Sequence, residues 1–513
     1  MSARSFCILA AGAVVVGLGA STASGYPYSV SAPAVISGAS PFAGCAIGSA
    51  GPDSVVYTNA EVEPWVAVDP IRGDAVAVWQ QDRWSDGSAR ALGTAVSGDG
   101  GLSWGGPFFL PLSLCAGGAA PAGDFPRVTD PWVSFGPDGI GYEVALGINP
   151  VFPFRAESAI TASRSLDGGH SWEPPQVILR ERFAAPPFPI NDKESVTGDP
   201  TRPGYAYAAW DRVRFTSEQE ALQGAFHSAL EAHSFRGDAM LSRTTDGGAS
   251  WEPARSIMPT NANVWTIGNQ VAVNGDRTLV DVFEFAKGSG TQPSDQDGFA
   301  VLRSNDAGQS WSRLTEIADD QSVDVRDPDD GDPVRATSPS LPDVASDLTQ
   351  PGTLYVVWAD GRFSGGLRSE ILFTKSTDGG LTWSMPIRIN QTASTTNPLD
   401  GQAFLPSVAV SADGSIAVVY YDFRFNTADP DTLPTSAFLA HSHDGGSTWE
   451  ETQISAPFDL ETAPVSDRGY FIGDYVGLAA DGRDFITAFP ITNNGNLANR
   501  TDIVAVRADA PSP

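Results

Sequence analysis

The sequence predicts an all-β protein assembled from repeated antiparallel units, and three observations lead to this expectation. Glycine and proline are abundant, with 53 and 39 copies in 513 residues. Aspartate greatly outnumbers glutamate, which favours turns because the Asp side chain caps turns and competes with the helix backbone. Short apolar runs recur along the chain, and one eight-residue motif occurs six times. The hydrophobic fraction of 41% is large enough for an extensive core.

The first 25 residues have the pattern of a secretory signal peptide. Arg4 precedes an apolar stretch over 6–18, and the small residues of 20–25 follow it. This stretch is too short to span a bilayer comfortably, and no later segment holds 18 apolar residues. The sequence therefore predicts a signal peptide over 1–25 and a mature chain over 26–513. The mature chain is expected to be secreted, periplasmic or attached to the cell surface, and not to span a membrane.

Charge and cysteine content restrict the environment and the partners. With 61 acidic and 31 basic residues, the net charge is −30. This charge argues against nucleic acid as a partner, because nucleic-acid binding requires a basic face. In an oxidising compartment Cys45 and Cys115 either form a disulfide or remain two separate buried thiols.

The repeated motif consists of a small hydroxyl residue, Asp two residues later, Gly two residues after that, and Trp three residues further on. Each copy follows an extended apolar run, and the starts lie 60 to 79 residues apart. A hairpin turn explains the pattern: Asp accepts from backbone amides, Gly adopts positive φ, and Trp packs beneath the loop. The Asp and Trp positions are Asp99 and Trp104, Asp167 and Trp172, Asp246 and Trp251, Asp306 and Trp311, Asp378 and Trp383, and Asp444 and Trp449.

These six motifs resemble the Asp-boxes, or bacterial neuraminidase repeats, of sialidase-like β-propellers. The resemblance covers most of the mature chain and implies a single propeller of four-stranded blades. It also implies that each Asp-box joins the third and fourth strands of a blade, on the face away from the active site. The Asp and Trp residues of the boxes are therefore expected to be structural. Non-catalytic receptor propellers and glucan-cleaving propellers also carry Asp-boxes, so the motif is specific for fold rather than activity.

The spacing predicts seven blades, six of them with an Asp-box, and six blades with an extra sheet is the alternative. After the sixth box come three strand-like segments with no fourth, at 475–479, 485–489 and 502–506. The N-terminal segment over 28–36 is expected to supply the missing strand and close the ring, which leaves no free sheet edge. A helix is predicted over 216–235, because apolar residues recur there every fourth position.

An aromatic residue followed by Asp and Arg recurs where second strands end, opposite the Asp-box turns. Planar guanidinium groups bind both oxygens of a carboxylate, and by resemblance sialidases hold the sialic acid carboxylate with three arginines. One hypothesis is therefore an arginine-lined funnel, and the alternative is that each Asp–Arg pair only fixes its own loop. The Arg-Ile-Pro type motif of catalytic sialidases is missing before the first Asp-box. The candidate substrate-binding residues are Arg83, Arg127, Arg212, Arg362 and Arg424.

The loops between blades supply candidate catalytic groups. Glycosidases use two carboxylates, and sialidases replace the nucleophilic carboxylate by Tyr. By that resemblance, Tyr475 with Glu194 forms a candidate nucleophile pair, and Asp130 or Asp192 is the candidate acid. Tyr470 competes with Tyr475 for the nucleophile role. Alternatively, these residues hydrogen-bond the blade junctions.

The sequence favours an exported sialidase-like glycoside hydrolase acting on glycans that include sialic-acid-containing ones. Two alternatives remain: a non-catalytic propeller that binds carbohydrate or protein at the cell surface, and a polysaccharide lyase acting on uronic acids. None of these activities requires a cofactor. The aspartates of 319–332 provide oxygen ligands of the kind that calcium prefers, so calcium is a possible but not a required ligand. The histidines form no recognisable zinc set, so no resident metal is predicted. A propeller closed by its own N-terminus is expected to be a monomer.

Overall fold

The computed structural model describes residues 27–150, 157–182, 186–217, 235–260, 264–287, 296–334, 341–393, 397–466 and 468–511. The predicted signal peptide lies outside these ranges. Most of the helix predicted over 216–235 lies outside them as well.

The described residues form 34 strands and three short 3₁₀ helices. The strands of the first third of the chain are β1 (Ser29–Val30), β2 (Ala34–Val35), β3 (Val56–Val68), β4 (Ala75–Trp84), β5 (Ala89–Ser97), β6 (Phe108–Phe109), β7 (Arg127–Phe135), β8 (Gly141–Asn149), β9 (Glu157–Ser165) and β10 (Gln176–Arg182). The middle third holds β11 (Phe188–Gly198), β12 (Ala206–Phe215), β13 (Phe235–Thr244), β14 (Arg255–Met258), β15 (Val264–Val273), β16 (Leu279–Lys287), β17 (Gln296–Ser304), β18 (Thr315–Asp319), β19 (Val325–Arg326) and β20 (Pro333–Val334).

The last third continues the same order. Its strands are β21 (Asp343–Asp347), β22 (Thr353–Asp360), β23 (Glu370–Ser376), β24 (Ile387–Arg388), β25 (Ala403–Val410), β26 (Ile416–Asp422), β27 (Pro434–Ser442), β28 (Glu450–Gln453), β29 (Phe458–Asp459), β30 (Val465–Ser466), β31 (Gly469–Tyr470), β32 (Gly477–Asp481), β33 (Asp484–Thr492) and β34 (Thr501–Asp509). The 3₁₀ helices are Arg362–Ser364, Pro398–Gly401 and Leu460–Thr462.

Strands that are neighbours in the chain pair side by side as antiparallel meanders. Four meanders follow the orders β11-β12-β13-β14, β15-β16-β17-β18, β21-β22-β23-β24 and β25-β26-β27-β28. A 13-stranded sheet has the order β10-β9-β8-β7-β5-β4-β3-β34-β33-β32, with β6 on β5 and with β1 and β2 on β34. The fold is thus an all-β β-propeller with at least five blades, as the sequence predicts for its class.

The turns of the six repeated motifs share one hydrogen-bond pattern. In each, the Asp side chain accepts from the backbone N–H four residues later, at 2.8 to 3.0 Å. The preceding Ser or Thr hydroxyl donates to the same Asp. These donors hold the pKa of Asp99 down at about 2, so its carboxylate stays ionised. The motif tryptophans pack against the core clusters of the blades, because the indole is large and apolar.

A basic side chain from one blade binds the motif turn of the next. Each cation donates to a backbone carbonyl of a motif turn in the neighbouring blade, and all but Arg507 stand directly before the Ser or Thr that ends a third strand. The pairs are Arg164 with Gly247, Arg243 with Ala307, Arg303 with Gly379, Lys375 with Gly445, and Arg507 with Gly100. The pair between Arg507 and Gly100 joins the end of the chain to its beginning.

The N-terminal segment pairs with the C-terminal strand. Ser29 and Val30 align with 508–509, and Ala34 and Val35 align with 504–505, in both cases antiparallel. Nearby, a disulfide joins Cys45 to Cys115, whose Cα atoms lie 5.9 Å apart. The two cysteines are therefore bridged rather than separate thiols.

Candidate functional site

The innermost strands begin on the face opposite the repeated turns, and several carry a β-bulge there. In β3 the pairing slips between Val62 and Trp65, in β7 between Thr129 and Trp132, and in β11 between 192 and 195. Within the slips, Glu63, Asp130 and Lys193 have φ values of 53°, 49° and 51°. Residues other than glycine rarely adopt this left-handed conformation. Those that do are concentrated at β-bulges and functional sites.

These bulges surround a central cavity of about 40 Å³. Polar groups on its wall come from four inner strands and the loops before them. The lining includes Lys193, Glu194, Ser195, Asn269, Gln270, Asp343, Ser407, Asp474 and Tyr475, together with Trp65 and Trp132. The cavity therefore combines ionisable groups with aromatic surface, which is typical of binding and catalytic sites.

Lys193 lies at the centre of a buried cluster of carboxyl groups. Its Nζ is 2.6 Å from Asp474, 3.3 Å from Asp130 and 3.4 Å from Glu63. These attractions raise the pKa of Lys193 well above its usual range against the opposing effect of burial. Lys193 therefore stays charged, and three carboxyl groups share its charge.

Glu63 connects the carboxyl cluster to residues of the neighbouring strand β4. Its carboxyl accepts from the backbone N–H of Asp474 at 3.2 Å and from the Gln80 amide, and the Arg83 guanidinium lies 3.9 Å away. Burial raises the pKa of Glu63 to about 7, opposed by Lys193. Burial likewise raises the pKa of Asp130, again opposed by Lys193. Glu63 can thus gain or lose a proton near neutral pH.

Glu194 differs from the other carboxyl groups. It is 2% exposed and lines the cavity, and neither carboxyl oxygen has a hydrogen-bond partner among the described residues. Burial, followed by repulsion from Asp130 and Asp192, raises the pKa of Glu194 well above its usual range. The neutral acid is therefore the resting form of this cavity-lining residue.

Three aromatic rings also line the cavity. Trp65 and Trp132 are stacked with their centroids 3.5 Å apart, and Tyr475 lies 5.3 Å from Trp132. The Tyr475 hydroxyl is 3.5 Å from the Pro131 carbonyl. Burial and the surrounding carboxyl groups raise the pKa of Tyr475 well above its usual range, so the phenol keeps its proton.

The structure brings together some of the sequence-predicted site residues and leaves others outside. Tyr475 and Glu194 line the cavity, Asp130 contacts Lys193, and Asp192 accepts from the Lys193 backbone N–H at 3.0 Å. Tyr470 lies in β31, paired with β20 and β30, and does not line the cavity.

None of the five candidate arginines is among the residues that line the cavity. Arg83 donates to Gln80 at 2.7 Å, and its guanidinium stacks on Phe471. The other four bind carboxylates: Arg127 with Asp86, Arg212 with Asp238, Arg362 with Asp360, and Arg424 with Asp422. In Arg362 and Arg424 the partner is the Asp of the repeated pair, the arrangement expected if the pair fixes its own loop.

Comparison with known proteins yields structural matches only. An α-L-arabinanase of Penicillium chrysogenum is 11% identical with a TM-score of 0.46, over 93% of this chain and 98% of that one. The Hadza microbial sialidase Hz136 is 14% identical with a TM-score of 0.45, over 90% and 91%. A Trypanosoma rangeli sialidase is 15% identical with a TM-score of 0.41, over 74% and 54%.

No family model and no curated protein matches the chain. The sialidases named among the structural matches belong to the family that the repeated motif resembles. Their identities and TM-scores are too low to support an argument about activity. The description of the site therefore depends on its own geometry.

Sequence reasoning missed four residues of the site. The sequence analysis does not identify Glu63, Trp65, Trp132 or Lys193 as site residues. One signal was available, since Glu63-Pro-Trp65 and Asp130-Pro-Trp132 repeat an acid-Pro-Trp pattern within two inner strands. Across the described part of the chain, no set of three or more His, Cys, Asp or Glu residues is arranged to hold a metal ion. No helix in those ranges is long and apolar enough to cross a membrane.

Proposed function

We propose that this protein is an exported glycoside hydrolase that acts on a glycan at the central cavity. The observation that supports the proposal best is Glu194, a cavity-lining residue with a buried carboxyl group whose oxygens are both unpartnered. Hydrolysis of a glycosidic bond requires a proton donor and a second carboxylate that stabilises the oxocarbenium-like transition state. The cavity offers both kinds of group within one cluster.

In this proposal Glu194 protonates the leaving oxygen of the glycosidic bond, because burial keeps its carboxyl neutral. Asp474, 2.6 Å from the Lys193 ammonium, is the ionised carboxylate that supports the positive charge on the sugar. Asp130 and Asp192 hold Lys193 in place. Trp65 and Trp132 provide apolar surface for a sugar ring.

The sialidase-type form of the proposal assigns the nucleophile to Tyr475, and it requires Glu194 to be ionised first so that its carboxylate can take the Tyr475 proton. The five candidate arginines would then bind the sialic acid carboxylate. Since these arginines already bind carboxylates or Gln80, a substrate with a carboxylate would have to displace those partners. We therefore favour a glycan without a carboxylate at the cleaved sugar.

The remaining sequence predictions enter the proposal as well. We propose seven blades, in which the single pairs Ala89–Val128 and Ala60–Thr501 are contacts between neighbouring blades. The six Asp-boxes then have a structural role, the signal peptide directs export, and the mature chain is a monomer. Calcium is proposed as a dispensable ligand rather than a required one.

The test uses the secreted form beginning at residue 26, with a panel of fluorogenic sialosides, arabinofuranosides and glucosaminides. Assays run with calcium and with a chelator. We expect fluorophore release in both conditions and a 10²–10⁴-fold lower kcat for Glu194→Gln, since general acid catalysis contributes about that factor. The matched control is Glu143→Gln, because Glu143 is equally buried with both oxygens unpartnered but does not line the cavity.

Tyr475→Phe separates the two forms of the proposal. Retained hydrolysis supports the two-carboxylate form, whereas its loss supports Tyr475 as nucleophile. Hydrolysis unaffected by Glu194→Gln would contradict both.

A non-catalytic carbohydrate-binding propeller is the second candidate. It is favoured by the small volume of the cavity, about 40 Å³, which leaves little room for a substrate beside the candidate catalytic groups. This candidate predicts saturable glycan binding without turnover across the panel. An unsaturated product that absorbs in the ultraviolet would instead indicate a lyase.

A further inference from the structure

A second cavity, of about 290 Å³, lies between the inner strands on the side of the repeated turns. Strands β3, β7, β11 and β15 line it with their last three or four residues, and β21 and β32 contribute as well. Trp65, Trp132 and Gln270 line both this second cavity and the smaller cavity of the candidate site, so the two are neighbours. Leu348 on its wall is 49% exposed, so a ligand can reach the second cavity from solvent.

The second cavity has an uncharged wall. No charged side chain is among the described residues that line it, although the chain carries 61 acidic and 31 basic residues. Alanine, valine and aromatic side chains make up most of the wall, among them Val133, Phe135 and Val344. A charged ligand would lose its hydration there without gaining an ionic partner, which costs free energy. The wall therefore disfavours anions and cations alike.

The polar side chains of this wall need no ligand group. The Thr197 hydroxyl donates to a backbone carbonyl at 2.6 Å, and the Ser134 hydroxyl accepts from a backbone N–H at 3.0 Å. The Gln270 side-chain carbonyl accepts from a backbone N–H at 3.2 Å, and the oxygen of Ser346 is covered by protein. The surface that remains for a ligand is mainly apolar, and burial of apolar surface is favourable.

Small residues keep the volume of the second cavity open. In five inner strands the residue before the last is small and uncharged, and all five of these residues line the cavity: Ala67, Ser134, Thr197, Ala272 and Ser346. An apolar cavity of about 150 Å³ holds a benzene molecule. A volume of about 290 Å³ therefore has room for a molecule with two rings.

We propose that the second cavity binds an uncharged, mainly apolar molecule of about the size of two fused rings. Burial of its apolar surface provides the affinity, and the uncharged wall provides the selectivity against ions. This binding site goes beyond the proposed function, because Glu194, Asp474 and Tyr475 do not line it. Binding there and hydrolysis at the candidate site can therefore fail independently.

The test compares probes that share a naphthalene ring and differ in charge at pH 7. Naphthylmethanol is neutral, naphthoate is an anion and naphthylmethylamine is a cation, and methyl glucoside serves as an uncharged polar probe. Calorimetry measures their binding to the chain from residue 26. We expect naphthylmethanol to bind at least tenfold more tightly than each of the others. The proposal is overturned if naphthylmethanol does not bind, or if another of these probes binds equally well.

Two variants locate the bound probe. Ala67→Phe fills part of the second cavity and should weaken the binding of naphthylmethanol at least tenfold. Leu348→Lys adds a cation at an exposed position of the wall and should shift the preference at least threefold toward naphthoate. The matched control is Ala412→Phe, because Ala412 is exposed and does not line the cavity, and it should bind naphthylmethanol as the parent does.

Circular dichroism establishes that each variant is folded. A folded Ala67→Phe with the affinity of the parent would place the probe elsewhere and overturn the proposed site. If Ala67→Phe does not fold, Leu348→Lys decides, and an unchanged preference between naphthylmethanol and naphthoate would overturn the site in the same way.

Discussion

Lys193 is the residue at which three buried carboxyl groups meet, and its removal leaves them without a shared cation. We expect Lys193→Met to lower the free energy of unfolding by about 3–5 kcal/mol at pH 8, the usual cost of breaking a buried ion pair. At pH 5 the substitution should lower the free energy of unfolding by less. Glu63 has a pKa of about 7 even beside Lys193, so at pH 5 its carboxyl is neutral and loses no ion pair when the cation is removed.

Urea unfolding at the two pH values measures both effects. Lys287→Met is the control, since Lys287 is exposed and its loss should have little effect at either pH. If Lys193→Met lowered the free energy of unfolding equally at pH 5 and pH 8, the stabilisation by Lys193 would not come from its ion pairs with the carboxyl cluster.

At the same scale, sequence reasoning identified Glu194, Asp130 and Tyr475 as site candidates but not Glu63 or Lys193. The reason is physical. Whether a charged residue in an inner strand faces the cavity depends on the bulge and on its positive φ, and these arise when several strands pack around one axis. A local pattern contains no measure of that packing.

The basic residues that bind the motif turn of the following blade connect neighbouring blades. Arg507 is the one that joins the last sheet to the first motif turn, and it also binds Asp481 and Asp509 at 2.7 Å. We expect Arg507→Ala to lower the free energy of unfolding by about 1–3 kcal/mol, because it leaves a carbonyl and several carboxylates without their donor. Thermal and urea unfolding measure this loss.

Arg483→Ala is the control for Arg507→Ala. Arg483 binds Asp413 at 2.8 Å, but its side chain is 41% exposed. An exposed pair contributes little to stability, so the control should lose less. A comparable loss in both variants would refute the special role of the Arg507 contact.

His441 makes the docking of the N-terminal segment sensitive to acid. Its ring lies 4.9 Å from Tyr28, and both ring nitrogens are buried without a hydrogen-bond partner. Burial, with repulsion from His443, lowers the pKa of His441 to about 4. Glu450, at 3.7 Å and 43% exposed, is the nearest acidic group in contact with the ring.

Because the folded state disfavours protonated His441, its contribution to stability is present above pH 6.5 and is lost as the pH falls to about 4. We expect this loss to reach about 3 kcal/mol. His441→Gln should remove that part of the acid sensitivity, so that unfolding profiles of variant and parent diverge only below pH 6.5. Parallel profiles between pH 7 and pH 4 would contradict the role given to His441.

Much at the element scale was predictable, because turns and alternating strands are encoded locally. The motif spacing predicted where the third strands end, and Ser97, Ser165 and Thr244 end β5, β9 and β13. The basic residues before two of these ends, Arg164 before Ser165 and Arg243 before Thr244, were not predicted to have a role. Their role depends on the neighbouring blade, which a single repeat does not reveal.

At the scale of the whole molecule, the propeller class followed from the repeat, whereas the position of the site required the three-dimensional arrangement. A repeat states that each unit packs on the next. It does not show that residues from opposite ends of the chain come together, as the Asp474 backbone N–H does with the Glu63 carboxyl at 3.2 Å. That contact follows from the return of the chain to its beginning.

The pairing of the N-terminal strands with β34 should therefore control the integrity of the whole ring. Deleting residues 27–36 removes the buried side chains of Tyr28 and Ile36 and the backbone bonds Ser31 to Arg507 and Ile36 to Ile503. We expect a loss of about 3–6 kcal/mol from the two side chains and an exposed edge on β34, which promotes association. Melting temperature and light scattering, compared with a chain that begins at residue 27, measure both effects. If the deleted form stayed monomeric with an unchanged melting temperature, the N-terminal strands would not be what closes the propeller.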